Sequence, residues 1–441
     1  MIHITLPADV QKIITELEAA GYEAYAVGGC VRDSILGRTP DDWDITTSAL
    51  PADIKRIFRR TVDTGIQHGT VTVLMGNCGY EVTTYRIDGI YEDSRHPRDV
   101  SFTTDLKEDL RRRDFTINAL AYNESTGLVD EFDGIGDLER HVIRCVGNPT
   151  ERFSEDALRM MRTVRFAAQL GFEIDPATRD AVKELAQNLE HVSAERKMTE
   201  LTKLICSAHP ELLGVCYELG LTAIFLPEFD KCMETPQNII HHCYNVGEHI
   251  LRTMMASPCD RVIRFTMMLH DIAKPVVLTV DEDGIIHNKG HAAVGEEMAG
   301  DILRRLKSDN ELIRQVTTLV RYHDWRIEDD KRSVRRAAST LGHDLFPLLM
   351  QVQRADVAGQ SDYMRDEKNA KLERIISLYE EICRDGEAIS REDLAVTGKD
   401  IIAAGIKPGP QIGDILDEML EHVLDVPEDN KKEILMKKYV L

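Results

Sequence analysis

Two aspartates near the N-terminus have the spacing of a metal-binding carboxylate pair. Asp42 and Asp44 flank Trp43 in a run that reads as a strand, whose period of two would place both carboxylates on one face. Paired carboxylates suit Mg²⁺, which shares the rest of its coordination shell with water and substrate phosphate. Two such ions could activate an attacking hydroxyl and stabilise a leaving pyrophosphate. A helix cap or turn is the ordinary alternative for an isolated D-x-D, so the assignment depends on its neighbours.

The neighbouring residues predict a phosphate-binding turn beside this pair. Gly28 and Gly29 follow a short predicted strand and precede a helix that carries Arg32 and Asp33. Backbone N–H groups at such a turn can face a phosphate, and the helix dipole adds to the attraction. Glu81, in the predicted strand YEVTTYR, is a candidate third carboxylate, although a single acid in a strand is often only solvent-facing.

Hydrophobic periodicity divides the chain into a mixed region and a helical region. An amphipathic helix is predicted over 8–20, and strands alternate with short helices as far as about residue 145. From about residue 154 the apolar residues repeat at three and four, which predicts helices almost without interruption to 385. The sequence therefore predicts an α/β or α+β N-terminal region followed by an all-α remainder.

Five stretches, in chain order, resemble the motifs of the polymerase β-like nucleotidyltransferases of the tRNA nucleotidyltransferase and poly(A) polymerase group. Together they lie within 25–201: GGCVRDSILGR with DDWD, RRDFTINA (112–119), DG with DL (133–138), EDALR (155–159) and ER with EL (195–201). The resemblance implies that Asp42 and Asp44 hold Mg²⁺, with Glu81 as a candidate third ligand, and that Gly29 and Arg32 lie at the triphosphate.

The second motif carries further expected nucleotide contacts. By this resemblance, Arg113 and Asp114 contact the sugar and phosphates of the incoming nucleotide. The family also implies an α+β fold with a mixed-sheet nucleotidyltransferase head at 1–145 and a helical neck at 146–225. An HD-type helical domain at 226–365 and an RNA-binding helical tail at 366–441 would follow.

Asp156 and Arg159 are the expected base-reading pair. Three residues apart on one predicted helix, they can meet one ligand. An ionised Asp only accepts hydrogen bonds and Arg only donates them, which matches the amino group and ring nitrogen shared by cytosine and adenine but opposes guanine and uracil. A simple salt bridge between the two is the plain alternative. Arg162 and Arg165, on the same helix, are candidate triphosphate contacts.

These expectations imply addition of C, C and A to the 3′ end of tRNA from CTP and ATP. The run 87–104 resembles the loop that accompanies A addition in this family, which favours full CCA over CC. A poly(A) polymerase and a CC- or A-only enzyme share the same head motifs and stay open as alternatives. An RNA-binding phosphohydrolase with an inactive head is a further alternative, against which the Asp-x-Asp pair argues.

A second constellation resembles the HD phosphohydrolases. His242, the adjacent His270 and Asp271, and Asp356 stand in helical surroundings, and in that family such residues converge on a divalent metal. His291 and His323 occupy places where HD proteins with a second metal have further ligands. Lys274 resembles the lysine of the family's H-D-x-x-K, and the resemblance implies a contact with substrate phosphate. His241, His249 and His287 read as ordinary core or surface residues.

The resemblance implies a metal-dependent phosphatase or phosphodiesterase. Imidazole and carboxylate donors suit Ni²⁺, Mn²⁺ or Co²⁺ better than Mg²⁺ alone. Cyclic 2′,3′-phosphate or 3′-phosphate ends are the expected substrates, and a purely structural or tRNA-binding use of the domain is the alternative.

Composition limits the partners. The 441 residues carry 54 Lys and Arg against 76 Asp and Glu, a formal net charge of −22, so a general nucleic-acid coat is disfavoured and arginines at 111–113 and 140–165 must act locally. Nine Cys without a C-x-x-C pair fit a reducing compartment, and no apolar run predicts a membrane span. We expect a cytoplasmic monomer or homodimer.

Overall fold

The computed structural model describes residues 2–88, 100–237 and 244–441. It consists of two compact units, Met1–Phe225 and Leu226–Leu441. The finer division into head, neck, HD-type domain and tail stays a prediction. His241, His242 and most of the run 87–104 lie outside the described residues.

The first unit contains strands and helices that alternate as far as residue 145. Its strands are β1 (Ala24–Val27), β2 (Ile45–Thr47), β3 (Thr61–Gly65), β4 (Thr70–Met75), β5 (Cys78–Thr84), β6 (Arg86–Asp88), β7 (Val100–Phe102), β8 (Leu120–Asn123), β9 (Gly127–Asp130), β10 (Val142–Ile143) and β11 (Glu173–Ile174). Its helices are α1 (Ala8–Ala19), α2 (Gly29–Ile35), α3 (Pro51–Ile57), α4 (Leu106–Arg111), α5 (Gly134–Arg140), α6 (Pro149–Glu155), α7 (Leu158–Leu170), α8 (Pro176–Leu185), α9 (Ala194–Ile205), α10 (Leu213–Glu218) and α11 (Thr222–Phe225).

A seven-stranded mixed sheet carries the site. Its strand order is β3-β4-β5-β2-β1-β8-β9. Neighbouring strands are antiparallel except for β2 and β5, which run parallel with Ile45 opposite Val82. Because β1 and β2 are antiparallel, with Ala26 opposite Ile45, the end of β1 lies beside the start of β2. The glycine turn follows β1 and the aspartate pair precedes β2, so the two lie close together.

Apolar side chains on the strands and on α1 form the core that fixes these loops. In α1, Val10, Ile13, Ile14 and Leu17 are fully buried, as their three- and four-residue spacing predicts. Val71 and Val73 of β4 are buried between partly exposed neighbours, which is the alternation of a strand with one face toward the core. The predicted α+β fold is confirmed.

The described residues of the second unit, 226–237 and 244–441, form helices and one short hairpin. Its helices are α12 (Pro227–Glu234), α13 (Val246–Ala256), α14 (Arg261–Leu269), α15 (Lys274–Val277), α16 (His291–Arg305), α17 (Asn310–Tyr322), α18 (Lys331–Gly359), α19 (Arg365–Asp385), α20 (Gly398–Ala403), α21 (Pro410–Asp425) and α22 (Lys432–Tyr439). The hairpin pairs β12 (Thr279–Val280) with β13 (Ile286–His287). Within the part of the chain that the structure describes, no helix is long and apolar enough to cross a membrane.

Candidate functional site

The turn between β1 and α2 requires glycine for two reasons. Gly28 has φ 83°, in the left-handed region that L side chains rarely adopt. A Cβ atom at Gly28 would also lie 2.9 Å from Nη1 of Arg113. The glycine therefore allows the guanidinium of the second motif to approach the turn of the first.

The two aspartates of the metal prediction lie immediately before β2 rather than within a strand. Since Ile45 pairs with Val82, the register brings Asp44 beside Glu81 of β5. Burial raises the pKa of the Asp44 carboxyl and the charge of Asp42 adds to the shift, while Arg113 opposes it. Burial, then Asp44 and Asp42, raise the pKa of Glu81. The three carboxylates therefore repel one another, and this oxygen donor set fits a hard divalent cation such as Mg²⁺.

A pocket of about 620 Å³ unites most of the expected nucleotide site. We call it the nucleotidyl pocket, and eight of the residues expected from the sequence line it: Gly29, Arg32, Asp42, Asp44, Arg113, Asp114, Arg162 and Arg165. Glu81, Asp156 and Arg159 are not among its lining residues. The sequence reasoning missed several others that line it, above all Arg38, Asn118, Phe166, Gln169 and Lys203.

Asp114 connects the second motif to α7. Its Oδ2 accepts hydrogen bonds from Nε and Nη2 of Arg162 at 2.8 and 2.5 Å, and its Oδ1 accepts one from Nδ2 of Asn118 at 3.0 Å. Burial alone would raise the pKa of this carboxyl, but Arg162 and the Asn118 hydrogen bond outweigh burial and lower it. Asp114 is therefore a carboxylate at neutral pH that holds Arg162 at the pocket wall.

Asn118 also binds the arginine of the first motif. Its Oδ1 accepts a hydrogen bond from Nη1 of Arg32 at 2.7 Å, and the same guanidinium donates twice to Asp33, at 2.8 Å each. Arg32 and Asn118 are 86 positions apart in the chain. The position of Asn118 within RRDFTINA was the only signal in the sequence for this role.

Three guanidinium groups surround the ring of Phe166. Those of Arg32, Arg162 and Arg165 lie 5.1, 5.3 and 3.7 Å from its centroid, distances at which the ring face attracts cations. Nε of Arg165 lies 2.8 Å from Oε2 of Glu200 on α9. Burial, despite Glu200, lowers the pKa of Arg165 to about 10, so this guanidinium stays charged at neutral pH.

The expected base-reading pair has a different local structure from the predicted one. The prediction that Asp156 and Arg159 share one helix is wrong, because Asp156 has φ −140° and ψ 103° between α6 and α7. Its Oδ1 accepts a hydrogen bond from the Leu158 N–H at 3.1 Å, which caps α7, and Nη2 of Arg196 donates to its Oδ2 at 2.7 Å. Arg159 is on α7 and donates to Oε2 of Glu155 at 2.6 Å.

A second cluster of chemistry-bearing residues lies in the second unit. We call it the HD cluster: His249, His270, Asp271, His291, His323 and Asp356. Two triads within it have potential ligand atoms within 4.8 Å of one another, namely His249, His270 and Asp271, and Asp271, His291 and His323. Asp271 belongs to both triads, so its carboxylate would help to hold an ion in either of them.

The surroundings of Asp271 fit a cation. Both carboxylate oxygens are buried, and Nε2 of His270 and Nε2 of His291 lie 3.2 Å from Oδ2 and 3.5 Å from Oδ1. Nζ of Lys274 lies 2.6 Å from Oδ2. Burial alone would raise the pKa of Asp271, but His270 and Lys274 lower it well below its usual value. A buried, ionised carboxylate beside imidazoles is a suitable donor set for a transition metal.

His249 corrects one sequence interpretation. It is buried in α13, as an ordinary core histidine would be, but its Nε2 lies 2.9 Å from Oδ1 of Asp356 and 3.3 Å from Nε2 of His270. The sequence interpretation assigned the metal-ligand role to His242 and treated His249 as an ordinary residue. The assignment of His242 lies outside the described residues and stays a prediction.

The pKa values of two imidazoles in the HD cluster are shifted in opposite directions. Burial alone would lower the pKa of His270, but the charge and hydrogen bond of Asp271 raise it. Burial and the charge of His270 lower the pKa of His323 to about 4. His323 is therefore a neutral imidazole at physiological pH, the form that binds metals.

Comparisons with known proteins agree with these features. Three family models match: "Poly A polymerase head domain" over residues 24–144, "Probable RNA and SrmB- binding site of polymerase A" over 171–233, and a model of tRNA nucleotidyltransferase domain 2 over 291–439. A CCA-adding enzyme of Lactiplantibacillus plantarum is 37% identical over 99% of this chain and 97% of the relative. One from Limosilactobacillus fermentum is 38% identical over 98% and 97%.

A solved structure extends the likeness to three dimensions. The crystal structure of the Bacillus stearothermophilus CCA-adding enzyme in complex with CTP matches with a TM-score of 0.68 at 29% identity, over 97% of this chain and 96% of that one. The family expected from the five motifs is confirmed: the chain belongs to the CCA-adding enzymes, a family of tRNA nucleotidyltransferases.

Proposed function

We propose that this chain adds C, C and A to the 3′ end of tRNA from CTP and ATP, without a nucleic-acid template, and releases pyrophosphate at each step. The observation that carries the proposal is the nucleotidyl pocket, which is lined both by Asp42 and Asp44 and by several guanidinium groups. Six basic and five acidic side chains line the pocket, so a triphosphate needs both the basic wall and bound cations for neutralisation.

Asp42 and Asp44, with Glu81 beside them, would hold Mg²⁺. When bound, the ions supply activation of the tRNA 3′-hydroxyl and charge stabilisation of the leaving pyrophosphate. The 3′-oxygen forms a bond to the α-phosphorus, the bond from that phosphorus to the bridging oxygen of the β-phosphate breaks, and the hydroxyl proton is lost. In this assignment the carboxylates orient the reaction and do not become covalently linked to substrate.

Cationic side chains that line the nucleotidyl pocket would bind the triphosphate. The Arg113 guanidinium has an Nε–H that is buried and has no partner among the described residues, so it can donate to a ligand oxygen. The guanidinium groups of Arg32 and Arg162 are held by Asp33, Asn118 and Asp114 and are thus fixed in position before the nucleotide arrives. Preorganised donors of this kind cost little reorganisation when charge develops.

Asp156 and Arg159 would read the base. The Asp156 carboxylate is fixed by Arg196 and by the start of α7, and it retains acceptor capacity for an exocyclic amino group. Arg159 would donate to the ring nitrogen beside that group. A base with the opposite pattern leaves buried groups unpaired, at a cost of roughly 1–3 kcal/mol each.

The test is primer extension with tRNA substrates that lack CCA, lack CA or lack A, each incubated with one nucleoside triphosphate at a time. We expect C on the first two substrates and A on the third. Addition of A alone to every substrate would support the poly(A) polymerase alternative, and failure to add A to the third substrate would support the CC-only alternative.

We further propose a metal-dependent phosphohydrolase in the second unit, because the buried Asp271 carboxylate is shared by two groups of potential metal ligands that also contain imidazoles. Bound Ni²⁺, Mn²⁺ or Co²⁺ would supply an activated water and polarise the phosphate. In hydrolysis of a 3′-phosphate, water adds to phosphorus, the bond to the ribose oxygen breaks, and that oxygen takes a proton. Purified protein assayed with 2′,3′-cyclic AMP and Ni²⁺ or Mn²⁺ tests this; an absence of metal-dependent turnover would refute it.

The remaining expectations concern the cellular setting. Eight of the nine cysteines lie among the described residues and are not in disulfides, which supports our proposal of a reducing, cytoplasmic location. The monomer or homodimer expectation, and the use of the tail for RNA binding, stay predictions. Sedimentation with and without tRNA would measure the oligomeric state.

A further inference from the structure

A pocket of about 450 Å³ opens beside the HD cluster. We call it the Trp325 pocket. Two of its lining residues, His323 and Asp356, belong to the cluster, so one end of the pocket is continuous with the ligand atoms. The turn after α17, the end of α18 and the first half of α19 form the remaining wall.

The far end of the Trp325 pocket is apolar and aromatic. Ile327, Leu372 and Ile375 line it and belong to the hydrophobic core of the unit, against which Trp325 packs. The indole lies 5.1 Å from the ring of Tyr322. Nε2 of Gln353 donates to the Trp325 carbonyl at 2.9 Å, which fixes the turn that carries the ring.

One lysine connects the apolar end to the cluster. Nζ of Lys368 donates to Oε1 of Gln360 at 2.7 Å, and Nε2 of Gln360 donates to Oδ2 of Asp356 at 2.9 Å. Lys368 therefore lies within reach of an anion bound at the cluster end. Lys371, which also lines the pocket, is paired instead with Glu328 at 3.0 Å.

The charge on the lining residues limits the ligand. Three basic side chains, Arg326, Lys368 and Lys371, stand against the acidic Asp324, Glu328 and Asp356. A balanced lining of this kind does not neutralise a triphosphate, whereas the cluster and Lys368 suffice for one phosphate. The volume is that of a small-molecule pocket, which admits a single nucleotide and excludes a duplex.

We infer that the Trp325 pocket holds the nucleoside part of a ribonucleoside monophosphate ester, with the base against Trp325 and the phosphate at His323 and Asp356. This inference rests on the proposed hydrolase function and adds a selectivity for nucleoside phosphates over simple phosphate esters. A free 3′-nucleotide and the terminal nucleotide of an RNA with a 3′-phosphate present the same chemistry to the pocket.

The chain offers a direct probe of this pocket. It contains two tryptophans, Trp43 in the first unit and Trp325 in the second. In full-length protein that carries Trp43→Phe, fluorescence excited at 295 nm reports on Trp325 alone, so nucleotide bound in the first unit does not contribute directly. We expect saturable quenching by adenosine 3′-monophosphate, and little response to ribose 5-phosphate or inorganic phosphate at equal concentration. Equal quenching by all three would overturn the inference.

Selectivity of hydrolysis gives a second, independent readout. Trp325→Leu should weaken selection of adenosine 3′-monophosphate over p-nitrophenyl phosphate by roughly 5- to 150-fold, the range for loss of one base–aromatic stack. Trp325→Phe retains an aromatic face and should restore most of the selectivity. An unchanged ratio in the Leu variant would refute the stacking role.

Metal binding separates this inference from the function on which it rests. Calorimetric titration with Ni²⁺ and turnover of p-nitrophenyl phosphate depend on the cluster and not on the base pocket. If the unsubstituted protein shows neither Ni²⁺ binding nor turnover of p-nitrophenyl phosphate, the hydrolase is refuted. If it shows both but no selectivity for nucleoside phosphates, only the pocket assignment is refuted. An RNA oligonucleotide ending in a 3′-phosphate should quench Trp325 if the pocket accepts chain ends, and its failure to do so restricts the ligand to free nucleotides.

Discussion

The ion pair between Arg165 and Glu200 should contribute strongly to the stability of the first unit. Their side chains are only 7% and 6% exposed, and Nε lies 2.8 Å from Oε2. Glu200→Ala would leave the guanidinium buried beside Phe166 without its main counter-charge. Removal of one partner from a buried pair costs about 3–5 kcal/mol, against a total stability of about 5–15 kcal/mol for a typical domain.

The double variant Arg165→Met, Glu200→Leu distinguishes charge burial from lost packing. Apolar replacement of both partners of a buried pair is often nearly neutral, so we expect the double variant to recover most of the loss. Nη1 of Arg165 also donates to Gln169 at 2.9 Å, so a small residual cost should remain. The pair should therefore show strong coupling in a double-mutant cycle.

The assay is urea unfolding followed by Trp43 fluorescence in a Trp325→Phe background, which reports on the first unit alone. Because the chain has two compact units, each can unfold in its own transition, so the first unit needs its own fluorescence probe. A loss below about 1 kcal/mol for Glu200→Ala, or simple additivity in the double variant, would refute the reasoning about buried charge.

Three further outcomes follow from the same geometry. Gly28→Ala should raise KM for CTP and lower stability by about 1–3 kcal/mol, because it forces a Cβ into the left-handed region and against Arg113; steady-state kinetics and thermal unfolding measure the two effects. Mg²⁺ should raise the midpoint of unfolding at pH 7.5 and do so less as pH falls. Because the pKa of Asp44 is raised in the folded protein, the ionised carboxylate lowers the free energy of unfolding above that pKa. Protonation below that pKa removes this cost, but it also removes the metal ligand. Asp42→Asn should abolish the Mg²⁺ effect at every pH. Asp271→Asn should remove Ni²⁺ binding to the second unit while nucleotide addition continues, as calorimetry and primer extension would show.

Local sequence patterns predicted the parts of the site that depend on neighbours in the chain. The turn at Gly28 follows from short-range spacing, whereas Asp42 and Asp44, which strand periodicity placed within a strand, lie just before β2. Asp156 was misplaced because its neighbours, Glu155 and residues 157–159, are good helix formers. In the structure its side chain accepts the N–H of Leu158, and this capping interaction separates α6 from α7.

Contacts between distant residues could not be predicted in the same way. Lys203 on α9 and Phe166 on α7 reach the nucleotidyl pocket because helices pack in one particular arrangement, which periodicity does not specify. His249 was passed over because a buried histidine and a histidine of the HD cluster have the same sequence pattern. Only the packing of α13 against α14 and α18 distinguishes them.

Base choice by protein side chains is the central claim, and one measurement tests it most directly. Wild-type protein and the Asp156→Ala variant are each incubated with tRNA lacking CCA and with CTP, ATP, GTP or UTP singly, and the added nucleotides are counted on a sequencing gel. We expect the wild type to add two C from CTP and nothing from GTP or UTP, and the variant to accept GTP or UTP while phosphoryl transfer persists. A variant that transfers nucleotides and still incorporates C alone would contradict the account.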